Sequence, residues 1–285
     1  MPPLGPRLEL GRTAAIFLCA LAFGLVLQLT VVSSFQQRAA QQGAFDRLRS
    51  DLATGTAPVG PADQDGDLLA VGSPVAYLEI PSIGLRQVVV EGTSAGALFT
   101  GPGHRRDTPL PGQAGTSLVL GRRAAYGGPF ARISDLDRGA VIHVTTGQGA
   151  FDYRVIGVRR KGDQQPPAVK ASSGRLMLAT ADGRAFMPSD VVWVDADLTV
   201  PAVAATGGRV RPDALPAPER LMAADPGTLW ALAFWLQALL AVVLGGMWAW
   251  HRWGRVQAWI VFVPSLLLLG LAASGEAAKL LPNLL

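Results

Sequence analysis

The sequence predicts a mainly β protein: a closed antiparallel β-barrel with short helices, accompanied by three transmembrane α-helices, one N-terminal and two C-terminal. Three observations lead there. Apolar residues make up 49% of the 285 positions and charged residues only 16%, and the apolar excess is gathered into three uninterrupted runs. The stretch between these runs has another texture, with short β-branched segments separated by Gly/Pro turns. Arginines cluster at the ends of the apolar runs, as the flanks of membrane spans require.

Residues 13–35 carry no charge and exceed the roughly 20 apolar residues needed to cross a hydrocarbon core. Arg7 and Arg12 precede them, which assigns residues 1–12 to the cytoplasm. A cleaved signal peptide would have an apolar region of roughly 7–15 residues ending in a small-x-small site. This run is longer and ends Val32-Ser33-Ser34-Phe35, so it reads as an anchor. Residues 227–250 and 256–275 form the second and third spans. The turn between them, His251-Arg252-Trp253-Gly254-Arg255, is basic and carries an interfacial tryptophan, as expected on the cytoplasmic side. With the N-terminus inside, everything from 36 to 226 lies outside, and so does the tail 276–285. The expectation is a multi-pass plasma-membrane protein with an extracellular domain and the lipid bilayer as its first partner.

Residues 36–73 are polar and read as a stalk and linker, and 201–226 as a Pro/Ala-rich linker. Residues 74–200 remain as the folded domain. Strands are expected at 75–80, 85–90, 117–120, 141–146, 151–158, 175–180 and 191–198, with Gly147-Gln148-Gly149 as a hairpin connection. Helical turns are expected at 94–99 and 129–136. The net charge of +4 comes without a basic stripe interleaved with aromatics, so no nucleic-acid partner is expected. The single cysteine, Cys19, lies in the first run, away from any soluble substrate. His104, His143 and scattered aspartates lack ligand spacing, and no phosphate-cradling glycine loop is present. No metal and no cofactor are expected.

A string of phrases within the domain resembles the sortases of Gram-positive bacteria, particularly actinobacterial, class E-like forms. Leu78-Glu79-Ile80-Pro81-Ser82-Ile83-Gly84-Leu85 is similar to the family's opening strand, and Val90-Glu91-Gly92-Thr93 with Leu98 to the entry into its first helix. Gly101-Pro102-Gly103-His104 followed by Pro111-Gly112-Gln113-Ala114-Gly115, and Tyr126-Gly127-Gly128-Pro129-Phe130 through Leu136 and Gly139, resemble its next two phrases. Five phrases in order imply a sortase-like barrel over most of 76–198.

The resemblance implies a cysteine thiolate that cuts a sorting signal, helped by a histidine and an arginine, with an amine resolving the acyl-enzyme. The family histidine follows the strand that here reads Ser117-Leu118-Val119-Leu120-Gly121, which puts Arg122 at its position. The family cysteine ends the strand Arg175-Leu176-Met177-Leu178-Ala179-Thr180, which puts Ala181 there. The family arginine opens the last strand, at Asp190. Arginine stays protonated and cannot shuttle a proton, and alanine offers no nucleophile. The resemblance therefore implies a degenerate, pseudo-sortase member, with Arg122, Arg123, Thr180, Asp182 and Arg184 as groove or ligand candidates. The expected role is a non-catalytic binding or scaffold component at the cell surface, in surface-protein or cell-wall assembly. Its expected partners are another membrane protein, an active sortase or a surface-protein peptide. The alternative is a hydrolase or transpeptidase that uses a Ser or Thr nucleophile, from Ser117, Thr180 or Ser189, with His104 or His143 as base.

Overall fold

The computed structural model describes residue 19 and residues 21–62, 67–205 and 210–285. Two compact units divide the chain. One takes in the described residues up to Val32 together with 226–280, and the other comprises Ser33–Asp225 and Leu281–Leu285.

The second unit is built on eight strands: β1 (Pro74–Ile80), β2 (Leu85–Glu91), β3 (Gly103–His104), β4 (Gly115–Leu120), β5 (Val141–Thr146), β6 (Gly149–Arg159), β7 (Gly174–Arg184) and β8 (Met187–Leu198). They close into a barrel in the order β1-β2-β3-β4-β7-β8-β6-β5. All seven predicted strands are present, each within a few residues of its expected ends. The period-two alternation that marked them becomes an inward face of Leu78, Ile80, Ile142, Val144, Tyr153, Val155, Leu176, Leu178, Val194 and Ala196, all buried in one cluster. The Gly147-Gln148 connection joins β5 to β6. The predicted helical turns shrink to 3-10 turns at Ala97–Phe99 and Ile133–Asp135.

The barrel corrects the expectation of a purely antiparallel sheet. β2 pairs with β3 and β4 with β7 in parallel. Parallel neighbours need a long crossover, and between β4 and β7 that crossover contains the β5–β6 hairpin. The strand missed in sequence, β3, has only two residues. It forms because Gly103 and His104 bridge β2 and β4 at one edge.

The polar flanks are not free chain. Helix α1 (Ser33–Thr54) lies against β1 and β2 and buries Gln37, Ala44 and Leu48. Glutamine amides fasten it. The Gln41 Nε2 group donates to the Val88 and Thr100 carbonyls, both at 3.0 Å, and Gln41 Oε1 accepts the Val88 amide at 2.7 Å. A helix held by amides rather than by an apolar stripe shows no helical period, which is why composition read it as a stalk. The stretch expected as a C-terminal linker likewise lies on the barrel over 210–225, with Leu215 and Glu219 buried and 3-10 turns at Pro212–Ala214 and Ala217–Glu219.

In the other unit, helices α2 (Leu229–Arg252) and α3 (Arg255–Lys279) form an antiparallel pair, with Gly245 and Gly246 facing the Phe262 ring. The segments Pro226–Trp250 and Val256–Lys279 are long and apolar enough to cross a membrane. They expose Trp230, Phe234, Leu244, Ile260 and Leu268, which suits a lipid surround. Of the predicted N-terminal span, 13–35, residues 13–18 and 20 lie outside the described residues. Within them residues 21–27 are helical, a π-helical turn covers Gln28–Val32, and the helix from Ser33 onward is polar. Among the described residues two helices, not three, therefore meet the criterion for a span.

The end of β4 shows how tightly the barrel is fitted. A Cβ at Gly121 would collide with the Phe130 ring, whereas a Cβ at Gly157, beside the β6 bulge, meets open space. Gly121→Ala is expected to destabilise the protein by roughly 1–3 kcal/mol through overpacking, and Gly157→Ala by less than about 0.5 kcal/mol. Thermal unfolding of the detergent-solubilised full chain, followed by circular dichroism, checks the contrast.

Candidate functional site

The site lies where β4, β7 and β8 run side by side. β4 ends at Leu120, and the Gly121 amide donates to the Ala179 carbonyl at 3.0 Å, which carries the chain alongside β7. Residues 122–128 then fold back sharply, with Tyr126 (φ 53°), Gly127 (φ 74°) and Gly128 (φ 50°) in succession left-handed. An aromatic residue in that region is unusual and held by its surroundings. Here the Tyr126 ring stacks on Phe99 at 3.9 Å and 9°.

Arg122 is fully buried beneath this stack. Its guanidinium carbon lies 4.8 Å from the Phe99 ring centre and 5.1 Å from that of Tyr126. Its Nη2 donates to the Ala95 carbonyl at 3.2 Å and its Nη1 to the Leu285 main-chain oxygen at 3.4 Å, while Nε has no partner. Burial, partly offset by Tyr126, lowers its pKa to about 10, so it stays cationic at neutral pH. Desolvated cation–π contacts of roughly 2 kcal/mol each and two main-chain oxygens offset the cost of burying the charge.

Ala181 forms the floor nearby, buried in an apolar cluster with Leu98, Leu118, Leu120, Ala179 and Val191. The seventh member is Leu284, fully buried. The segment Leu281–Leu285 runs through the groove. The Arg123 amide donates to the Leu284 oxygen at 3.0 Å and the Ala125 amide to that of Leu285 at 3.4 Å. Asn283 is buried as well. Its amide donates to the Ala223 carbonyl at 2.9 Å, and its Nδ2 to the oxygens of Thr93 (2.9 Å), Arg220 (2.8 Å) and Pro218 (3.4 Å). Burying one leucine side chain is worth roughly 1.5–3 kcal/mol, so the occupied groove is a substantial contact.

The structure divides the predicted site residues. Arg122, Arg123, Thr180 and Ala181 come together. Arg123 Nη1 donates to the Ala181 carbonyl at 3.1 Å, and the buried Thr180 hydroxyl donates to the Gly121 carbonyl at 2.7 Å. Asp182 and Asp190 face each other across the β7–β8 ladder and belong to a separate rim cluster. There Arg160 Nε lies 3.2 Å from Asp182 and Lys161 Nζ 3.6 Å from Asp190. Arg184 is exposed near the hairpin tip and takes no part in the groove. Sequence reasoning missed Phe99, Tyr126, Asn283 and Leu284. Only the Tyr126-Gly127-Gly128 phrase hinted at a tight turn; nothing local to 281–285 signals a role.

Neither domain histidine is positioned as a base for these hydroxyls. His143 sits on the outer face, with Nδ1 2.6 Å from Asp152 Oδ1. His104 is buried, with Nδ1 2.9 Å from Glu91 Oε2 and Nε2 3.0 Å from the Pro109 oxygen. Both neighbours are acceptors, so the imidazolium satisfies both. Burial disfavours that charge, but Glu91, through its charge and hydrogen bond, and the Pro109 carbonyl outweigh it and raise the pKa above its ordinary 6.5. Among the described residues no group of His, Cys, Asp and Glu is arranged to hold a metal ion.

The family model for the sortase domain matches residues 78–186. Arg122 and Ala181 fall inside the matched range and Asp190 just beyond it. Sortase D of Bacillus subtilis (strain 168) is 32% identical over 85 residues, which is 30% of this chain and 41% of that protein. The chain thus spans about two fifths of the length of this curated relative. Among solved structures, a Clostridium perfringens Sortase D5 transpeptidase aligns with a TM-score of 0.47 at 19% identity, over 57% of this chain and 99% of that one. The SrtF sortase of Corynebacterium diphtheriae aligns at 0.42 and 23%, over 56% and 98%.

The His104–Glu91 pair sets a pH dependence of stability for this domain. A histidine whose folded pKa is raised stabilises fully below its unfolded value near 6.5 and loses that contribution as pH rises through the folded value. The thermal midpoint of the full chain is expected to fall over that window, and His104→Gln to flatten this component. Differential scanning fluorimetry across a pH series reads both.

Proposed function

We propose that this chain is a non-catalytic, membrane-tethered sortase-fold protein that serves as a binding or scaffold component in surface-protein or cell-wall assembly. The observation that carries the proposal is Leu284 buried in the same apolar cluster as Ala181. In this reading Ala181 stands where the family has its cysteine, Arg122 where it has its histidine and Asp190 where it has its arginine. A methyl side chain cannot form an acyl-enzyme. A guanidinium with a pKa of about 10 does not exchange protons at neutral pH. The place a scissile bond would occupy is taken by the chain itself.

The membrane part completes the reading. Residues 13–35, 227–250 and 256–275 are the three spans, residues 1–12 and 251–255 are cytoplasmic, and the barrel and residues 276–285 lie outside. The assignment is supported by the basic flanks, Arg7 and Arg12 before the first run and Arg252 and Arg255 between the last two. A closed groove turns attention to the barrel exterior and to the paired helices α2 and α3 as docking surfaces. The partners would be an active sortase, another membrane protein or a surface-protein peptide.

The alternative with a Ser or Thr nucleophile has no observation in its favour. Thr180 spends its proton on Gly121, Ser117 Oγ is buried without a partner, and both histidines are engaged elsewhere. Purified full-length protein given a fluorogenic sorting-signal peptide and an amine acceptor is expected to give no cleavage above buffer. Turnover that disappears in Thr180→Val, Ser117→Ala or Ser189→Ala would overturn the non-catalytic reading.

A further inference from the structure

The groove walls are made by β4, β7 and β8, which are laddered to one another without help from residues 281–285. The segment adds no strand to the barrel. It is held by the buried Leu284 and Leu285 side chains, one asparagine amide, the Arg122 guanidinium and single main-chain bonds to Arg123, Ala125 and Ala223. Its fit is also incomplete. Two buried polar atoms at its contacts, Arg122 Nε and Asn283 Oδ1, have no partner. Polar groups left so are the weak points of a contact, because water satisfies them when the contact opens.

We infer that Leu281–Leu285 is a releasable intramolecular plug, with Asn283 as its specificity determinant and Leu284 as its anchor, and that any ligand reaches the groove only after the plug leaves. The inference rests on the groove being a binding surface rather than a catalytic one. Asn283 reads three main-chain oxygens at once, from Thr93, Pro218 and Arg220, so its amide joins the 217–223 segment to the loop after β2. A side chain without two amide protons cannot do this. As a tethered ligand the segment competes at an effective concentration of roughly millimolar, so a groove of modest intrinsic affinity stays closed until something draws the segment away.

The experiment uses the full chain in detergent micelles with Cys19→Ser and Ala181→Cys, so that a maleimide reports access to the groove floor. With the native segment, labelling is expected to be slow. Adding Leu284→Ala or Asn283→Ala is expected to speed it at least tenfold. Hydrogen exchange, read in parallel without the cysteine changes, is expected to accelerate at the Arg123 and Ala125 amides, while Gly121, bonded to Ala179, is unchanged. Millimolar Leu-Pro-Asn-Leu-Leu peptide is expected to slow labelling of the Leu284→Ala protein again. Equal labelling and exchange in all variants would overturn the inference. So would loss of the thermal transition in both the Leu284→Ala and Asn283→Ala proteins, since the segment would then be part of the fold itself. Sorting-peptide turnover by the native chain would sink the non-catalytic reading but leave these rates as expected.

Discussion

A guanidinium withdrawn from water has to be compensated on every side, and Arg122 finds that compensation in two aromatic faces and two main-chain oxygens. Taking a cation out of water costs several kcal/mol, and two aromatic faces, the Ala95 carbonyl and the Leu285 oxygen offset that cost. Each has structural consequences. The Phe99–Tyr126 stack needs the left-handed turn at 126–128, the Ala95 carbonyl needs the 3-10 turn at Ala97–Phe99 to follow it, and the Leu285 oxygen needs the last residues of the chain in the groove. The local architecture around this corner is organised by one buried charge.

The chemistry open to this corner is limited by what surrounds it. A thiolate nucleophile needs a polarised, accessible pocket and a group that exchanges protons near neutral pH. Here the floor is a methyl group in an apolar cluster, the neighbouring cation holds its proton, and the nearest hydroxyl is committed to a backbone carbonyl. What survives of the polar machinery serves structure. His104 and Glu91 form a buried pair between β2 and β3, and Arg159 with Asp195 forms another on the barrel wall.

Much of the fold was legible in the residues. The strand positions followed from alternation, because a half-buried strand must place apolar side chains on one face. The five phrases from Leu78 to Gly139 resembled a family whose model matches residues 78–186, and the structure places Arg123 against the Ala181 carbonyl. Less legible was the status of the flanks. Residues 36–54 and 210–225 are polar or Pro/Ala-rich, yet both are ordered against the barrel, since side-chain amides and isolated leucines such as Leu48 and Leu215 hold them. Asp182, Asp190 and Arg184 were grouped with the groove because they are near in sequence. The β7–β8 hairpin instead carries them to a rim where Arg160 and Lys161 neutralise the two aspartates.

By itself the sequence determined the apolar runs, the β texture and the absence of a cysteine in the barrel, for these are properties of composition and short-range period. Only the tertiary structure decided what the groove holds. The bond between Arg122 and Leu285 joins residues 163 positions apart, and nothing in either neighbourhood encodes the other. Such a contact exists because a buried cation, a small floor at Ala181 and an Asn-Leu-Leu segment are complementary in three dimensions, and complementarity has no period to read along a chain.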